Sequence, residues 1–293
     1  MTELVAAYAA EVESRLMPDN VEATLSDCID VIRLGNEGFR KIYDSVWEMV
    51  DKSESDGVAS YVNARCELEM LVMAVSEQHH RLDGKIAQRL EAASVVVLVA
   101  DCNAAKPGFD AALQELGARC KAAGVEMAPV QIPPLSKDVA RVVEKIILVP
   151  ILALPSQRKT PAPAAMTARK VTDMVRGMLS ANSMHDVAAV LRQLAQMVRD
   201  NLIVVVRIKC RFVTKPSDGG WRDVLVNFYV ASDPLKHIGE LQVSHSQMAN
   251  ARKGLPGHVI YARVRNSIEL VLMVFGKHVG QWRLFIFFFH KKR

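Results

Sequence analysis

Val187, Val190, Leu191, Leu194 and Val198 recur at i, i+3, i+4, i+7 and i+11. That spacing gathers apolar side chains on one face of an α-helix. The period then switches to two. Val206, Ile208, Cys210 and Phe212 alternate with Arg207, Lys209 and Arg211, which predicts a strand with an apolar face and a cationic face. The run from Lys215 to Gly220, KPSDGG, has the composition of a turn. A second strand is expected from about Arg222 to Val230, a turn at Ala231 to Lys236, and a third strand over His237 to Ser244. Short polar turns between three strands predict an antiparallel meander. A final helix is expected from near Gly257 through Ile268 to about Leu272.

The first 125 or so residues read as helices. Leu68, Leu71, Val72 and Val75 follow helical spacing, and Ile86, Leu90 and Ala93 extend it. Breaks are expected near Pro18-Asp19, at Ser53 to Gly57 and at Lys106 to Gly108. The run VVVLV at Val95 to Val99 fits a strand or a buried helix equally. Pro129, Pro133 and Pro134 end the helical pattern, and a short helix is expected from Lys137 to about Ile147. Pro150 to Pro163, with Arg158 and Lys159, reads as an exposed basic loop. The order predicts a helical region over residues 1–128 and an α+β domain over residues 129–293. Its sheet would be mixed, mostly antiparallel, and flanked by helices.

Composition narrows the function classes. Hydrophobic residues make up 50% and charged residues 24%, a globular profile. The net charge of +5 suits a polyanion such as a nucleotide but falls short of the dense basic face of a nucleic-acid binder. The five cysteines are widely spaced and contain no CxxC, so reduced thiols and a cytoplasmic setting are expected. The acidic start, with Glu3, Glu11 and Glu13, differs from a signal peptide. No apolar run approaches the roughly 20 residues that span a bilayer. The terminal run LFIFFF, Leu284 to Phe289, reads as a buried strand or a membrane-surface contact.

Candidate chemistry concentrates on the alternating strands. Arg207, Lys209 and Arg211 would stand about 6 to 7 Å apart along one face. That face meets either water or successive phosphates. Glu240 and Gln242 share a face of the third strand, so Glu240 is an ion-pair partner of Arg207 or Arg211, or a ligand for Mg²⁺ beside a triphosphate. Trp221 and Arg222 follow a double glycine, where an aromatic ring either caps the core or stacks on a base. In the helical region Glu67, Glu69, Glu77, His79 and His80 form no HExxH, and a solvated helix face accounts for them.

Five segments recur in a familiar order: ARVVEKI (Ala140 to Ile146), VTDMVRGM (Val171 to Met178), GWRDVL (Gly220 to Leu225), GELQVSH (Gly239 to His245) and GHVIY (Gly257 to Tyr261). From roughly Ile132 to Leu270 they resemble the RelA/SpoT synthetase domain, whose marks are a basic segment, DLxGxR, GYRSxH, ExQxRT and a closing helix with His and Tyr. The resemblance implies a nucleotidyltransferase-like fold that moves pyrophosphate from ATP to a guanosine nucleotide, GTP or GDP, with Mg²⁺. It places Asp173 and Glu240 at the metal and the attacking hydroxyl. Trp221 would lie on the base, with Arg222 on phosphates and Arg141 and Lys145 on ATP. Gln242 would match the glutamine of ExQ, and His258 and Tyr261 the closing helix, while Arg207, Lys209 and Arg211 of the alternating strand remain candidate phosphate contacts beside them. Several motif positions differ: Arg176 stands where Gly is expected, Met178 for Arg, Asp223 for Ser, Leu225 for His, and Ser244-His245 for Arg-Thr. These differences leave open an inactive nucleotide-binding or protein-interaction module on the same fold. The helical region would then be a scaffold or a homo-oligomerisation surface. That region lacks the HD motif of the hydrolase domain found in bifunctional members.

Overall fold

The computed structural model describes residues 38–75, 81–82, 85–90, 94–137, 139, 142–143, 168–217 and 219–253. Outside them lie the Pro18-Asp19 break, His79 and His80, the basic loop, the helix expected from Gly257 and the Leu284–Phe289 run. Four candidate site residues, Arg141, Lys145, His258 and Tyr261, lie outside them too. Residues Ile42–Lys253 form one compact unit. No helix among the described residues is long and apolar enough to cross a membrane.

Residues 38–53 are helical (α1), and a single non-helical residue, Glu54, separates them from α2, Ser55–Val75. Two short strands, β1 (Arg81–Leu82) and β2 (Lys85–Ile86), pair antiparallel. The helical pattern drawn through Ile86 and Leu90 is therefore not realised. Helix α3 spans Val95–Ala122, which settles VVVLV as helix. Ser94 caps it by accepting from the Val97 amide at 3.1 Å. Pro107 lies inside this helix rather than breaking it. Its missing N–H leaves one carbonyl without its usual donor, but Cys102, Phe109, Leu113, Leu116 and Cys120 still form a continuous buried stripe. Burial of that stripe outweighs the local cost.

Strand β3 (Arg176–Ala181) leads into α4, Met184–Arg199. Ser183 and Asp186 form a capping box at its start. Strands β4 (Ile203–Cys210), β5 (Val224–Val230) and β6 (Gly239–His245) follow, then α5 (Ser246–Lys253) directly after β6. The sheet order is β3-β6-β5-β4. The β4-β5-β6 meander is antiparallel as expected, and β3 joins it parallel to β6. The edge strand β3 was not legible as a strand in RGMLSA. Its outer edge is closed by bridges from Met127 and Gln131.

Helices α2, α3 and α4 share one apolar core with one face of the sheet. Tyr61, Ala64 and Leu68 of α2 are buried, and Arg192 and Arg199 of α4 reach across to Ser60 and Glu67 of α2. Two glycines let α3 approach the strands closely. A Cβ on Gly177 would overlap Leu113, and one on Gly239 would overlap the Phe109 ring. That ring stacks on Phe228 with centroids 4.6 Å apart.

A register shift between Val205 and Arg207 marks a bulge in β4. It corrects the simple alternation read from the sequence. Ile208 and Cys210 pack against the main core, whereas Val206 joins Ile86, Tyr229 and Ile238 in a separate apolar cluster.

His237 precedes β6 and is 3% exposed. Among the described residues its Nδ1 has no hydrogen-bond partner. Burial drives its pKa down to about 4, against a smaller upward pull from Asp233. The folded state therefore holds a neutral ring, and the unfolded chain takes up the proton first as pH falls. Stability should drop between pH 6.5 and 4, by up to about 3 kcal/mol. Urea unfolding at pH 7 and pH 5 should show this loss, and His237→Gln should flatten it. An unchanged slope in that variant would remove His237 as the source.

Candidate functional site on the polar sheet face

Residues directly opposite one another across the strands project to the same face. One such row reads Arg176 (β3), Glu240 (β6), Asn227 (β5), Arg207 (β4). The next reads Met178, Gln242, Leu225, Lys209. Both rows lie opposite the helix-covered core. The meander therefore carries its ionic groups on one surface.

Arg207 ends the first row on the edge strand β4. Its Nε donates to Asn227 Oδ1 at 2.9 Å. Asn227 is fully buried, and its Nδ2 donates to the carbonyls of Thr172 and Gly239 at 3.2 and 3.1 Å. The amide thus aims the guanidinium while tying β5 to the segment that enters β3. Burial pulls the Arg207 pKa below its ordinary value, and Glu240 and then Asp173 oppose that pull. Both carboxylates therefore act on one guanidinium, which stays charged. Asp173 Oδ2 also pairs with Lys137 Nζ at 2.5 Å. Asp173 and Glu240 thus both act on Arg207, and Lys137 pairs with Asp173. Lys209 and Arg176 are exposed on the same face.

The remaining candidates belong to a second cluster around Asp223, which is fully buried. Arg211 donates to it twice, Nε to Oδ1 at 2.5 Å and Nη2 to Oδ2 at 2.6 Å. Trp221 Nε1 donates to Oδ2 at 2.8 Å, and Gln242 Nε2 donates to the same oxygen. The Trp221 ring meets the edge of Tyr43 at 5.4 Å and the guanidinium of Arg252 at 4.9 Å. Arg222 reaches Phe212 O at 2.6 Å and Asp44 at 3.0 Å, and lies 5.2 Å from the Trp47 ring. Trp221 and Arg222 thus bind α1 and α5 to the sheet.

His245 and Glu54 form a third arrangement. The Gln247 amide donates to His245 Nδ1 at 3.1 Å, so Nε2 carries the proton toward Glu54 Oε1 at 3.1 Å. Glu54 Oε2 accepts from the Met184 amide at 2.6 Å, which places a carboxylate at the start of α4. Burial lowers the His245 pKa, and Glu54 raises it in part.

Comparison with known proteins gives one kind of result. No family model and no curated protein matches the chain. Solved structures do. Small alarmone synthetase 1 of Bacillus subtilis, bound to its product pppGpp, aligns at 13% identity and a TM-score of 0.35, covering 64% of this chain and 95% of that one. Small alarmone synthetase 2 of the same organism aligns at 15% and 0.40 over the same shares. The smu.1046c protein of Streptococcus mutans aligns at 14% and 0.37, covering 62% and 92%.

Several residues that shape the face were not singled out from the sequence. Asn227 is the lone amide inside the apolar run VLVNFYV, and a buried amide in such a run signals a required hydrogen bond. Lys137 gave no signal, because its partner lies 36 residues away. Among the described residues no group of three or more His, Cys, Asp or Glu could hold a metal. A two-carboxylate Mg²⁺ site completed by phosphate oxygens is a different arrangement. Asp173 and Glu240 are two carboxylates that act on one guanidinium.

Proposed function

We propose that the polar sheet face binds a nucleoside triphosphate with Mg²⁺ and supports transfer of pyrophosphate from ATP to a hydroxyl of a guanosine nucleotide. One observation carries this reading: Arg176, Glu240, Asn227 and Arg207 form one cross-strand row opposite the core, where Glu240 and Asp173 both act on Arg207 and Lys209 and Arg176 are exposed. Half-buried carboxylates and cations gathered on one face are costly unless they serve each other or a ligand. The order of the sequence motifs supports the choice of ligand.

In this reading Arg207 and Lys209 hold phosphate oxygens, and Asn227 fixes the Arg207 fork. Lys137 orients Asp173. Asp173 and Glu240 would hold Mg²⁺, which when bound offsets charge on the transferred group. Glu240 accepts the proton of the attacking hydroxyl. The hydroxyl oxygen bonds to the β-phosphorus of ATP, the α–β bridging bond breaks, and AMP leaves.

A second reading is nucleotide binding without turnover. It is favoured by the Asp223 cluster, which already engages Arg211, Trp221 and Gln242. Labelled ATP with GDP or GTP and Mg²⁺ separates the two. AMP together with a pyrophosphorylated acceptor supports the enzyme, and saturable binding without AMP supports the module. Glu240→Gln should lower AMP release at least about 100-fold. Unchanged release from a folded variant would remove Glu240 from the chemistry.

A further inference from the structure

We propose that Asp223 is a built-in anion. It fills an oxyanion site formed by Arg211, Trp221 and Gln242, and so confines ligand phosphates to the Arg207–Lys209 side of the face. The filled anion site stands independently of nucleotide binding at Arg207, whereas its role in specificity rests on that reading. Four donors converge on one carboxylate: Arg211 Nε and Nη2, Trp221 Nε1 and Gln242 Nε2. A carboxylate offers about four lone-pair sites. The parallel Arg fork is the geometry that also grips a free carboxylate or phosphate. Three donor residues from three places (the end of β4, the residues before β5, and β6) point at a side chain that is fully buried. The same set facing an empty space would be an anion receptor.

The placement also explains which cations remain for a ligand. Arg211 follows Lys209 on the cationic side of the β4 pattern, but it is spent on Asp223. Trp221 is closed over by Tyr43 and Arg252. A polyphosphate lying along the face therefore meets Arg207 and Lys209 and stops short of Arg211.

Asp223→Ala tests this by creating the receptor. In sodium chloride the variant should melt about 10 °C below wild type, because a half-buried guanidinium loses its counter-charge and the Trp221 and Gln242 donors lose their acceptor. Sodium formate or acetate at matched ionic strength should restore much of that loss in a saturable way. Neither salt should shift wild type beyond the chloride control. If Asp223→Ala does not fold in chloride, refolding yield in formate against chloride is the readout, and formate should recover it. Arg211→Met/Asp223→Ala should lose the formate response, since the fork is gone. Equal behaviour of the single variant in chloride, formate and acetate, by melting or by refolding yield, would overturn the proposal. So would an undiminished formate response in the double variant.

Discussion

Gly239→Ala is expected to destabilise the fold by about 3 kcal/mol, far more than an added methyl costs at most strand positions. The cause is local. Gly239 opens β6 opposite Phe228, and its α-carbon faces the Phe109 ring of α3. A Cβ would overlap three atoms of that ring. Phe109 cannot swing aside, because it stacks on Phe228 at an interplanar angle of 13° and both rings are buried. Relief would require α3 to move away from the sheet, which opens the core along its whole stripe. Phe109→Leu in the same chain should recover part of the loss, giving a coupling of about 1 kcal/mol or more in a double-mutant cycle. Additive effects, or a melting curve for Gly239→Ala that matches wild type, would show that the contact is not tight.

The second large effect concerns ligand binding. Arg207→Met should weaken affinity for a nonhydrolysable ATP analogue with Mg²⁺ by about 100-fold, equivalent to about 2.7 kcal/mol. The guanidinium does two jobs in this account. It offers its remaining donors to phosphate oxygens, and it supplies counter-charge to Glu240 and Asp173. Removing it costs the phosphate contact and leaves two carboxylates with reduced counter-charge. Arg207→Lys keeps the charge but cannot reproduce the fork or the Asn227 bond, so it should fall between the two. Calorimetric titration of the three proteins checks the order. Equal affinity in all three would take Arg207 out of the binding site.

How far the sequence revealed this arrangement varies by element. Helix α4 was legible because its apolar residues keep one helical period from Val187 to Val198. The β4-β5-β6 meander was legible because KPSDGG and the Asp233-Pro234 turn bracket clean strands. Strand β3 was hidden: its partner β6 lies one helix and two strands away in the chain, and such long-range pairing leaves no local period. The bulge at Val205–Arg207 was hidden inside the uniform run IVVVR, where every phase of the alternation reads as apolar. Pro107 misled in the other direction, because tertiary burial of α3 overrode a strong local breaker.

The site shows the same division. Asp173 and Glu240 were each marked by residue type within a motif, Arg207 by its place on an alternating strand, and both carboxylates act on that guanidinium. Asp223 was visible only as a departure from Ser in a motif. Its four hydrogen bonds come from residues that no local rule would join, and they redefine Arg211, Trp221 and Gln242 as a closed set. Arg222 likewise read as a phosphate contact, yet its donors go to Asp44 and the Phe212 carbonyl. In each case a charged side chain in the sequence predicted a counter-ion, but only packing decided whether that counter-ion belongs to the protein.

The most direct measurement is a calorimetric titration of the wild-type chain with a nonhydrolysable ATP analogue, run with Mg²⁺ and again with the metal chelated. A paired-carboxylate site beside Arg207 predicts saturable binding at one site, weakened at least about tenfold without the metal. Absence of binding heat in both runs, from protein shown to be folded, would contradict a nucleotide site on this face.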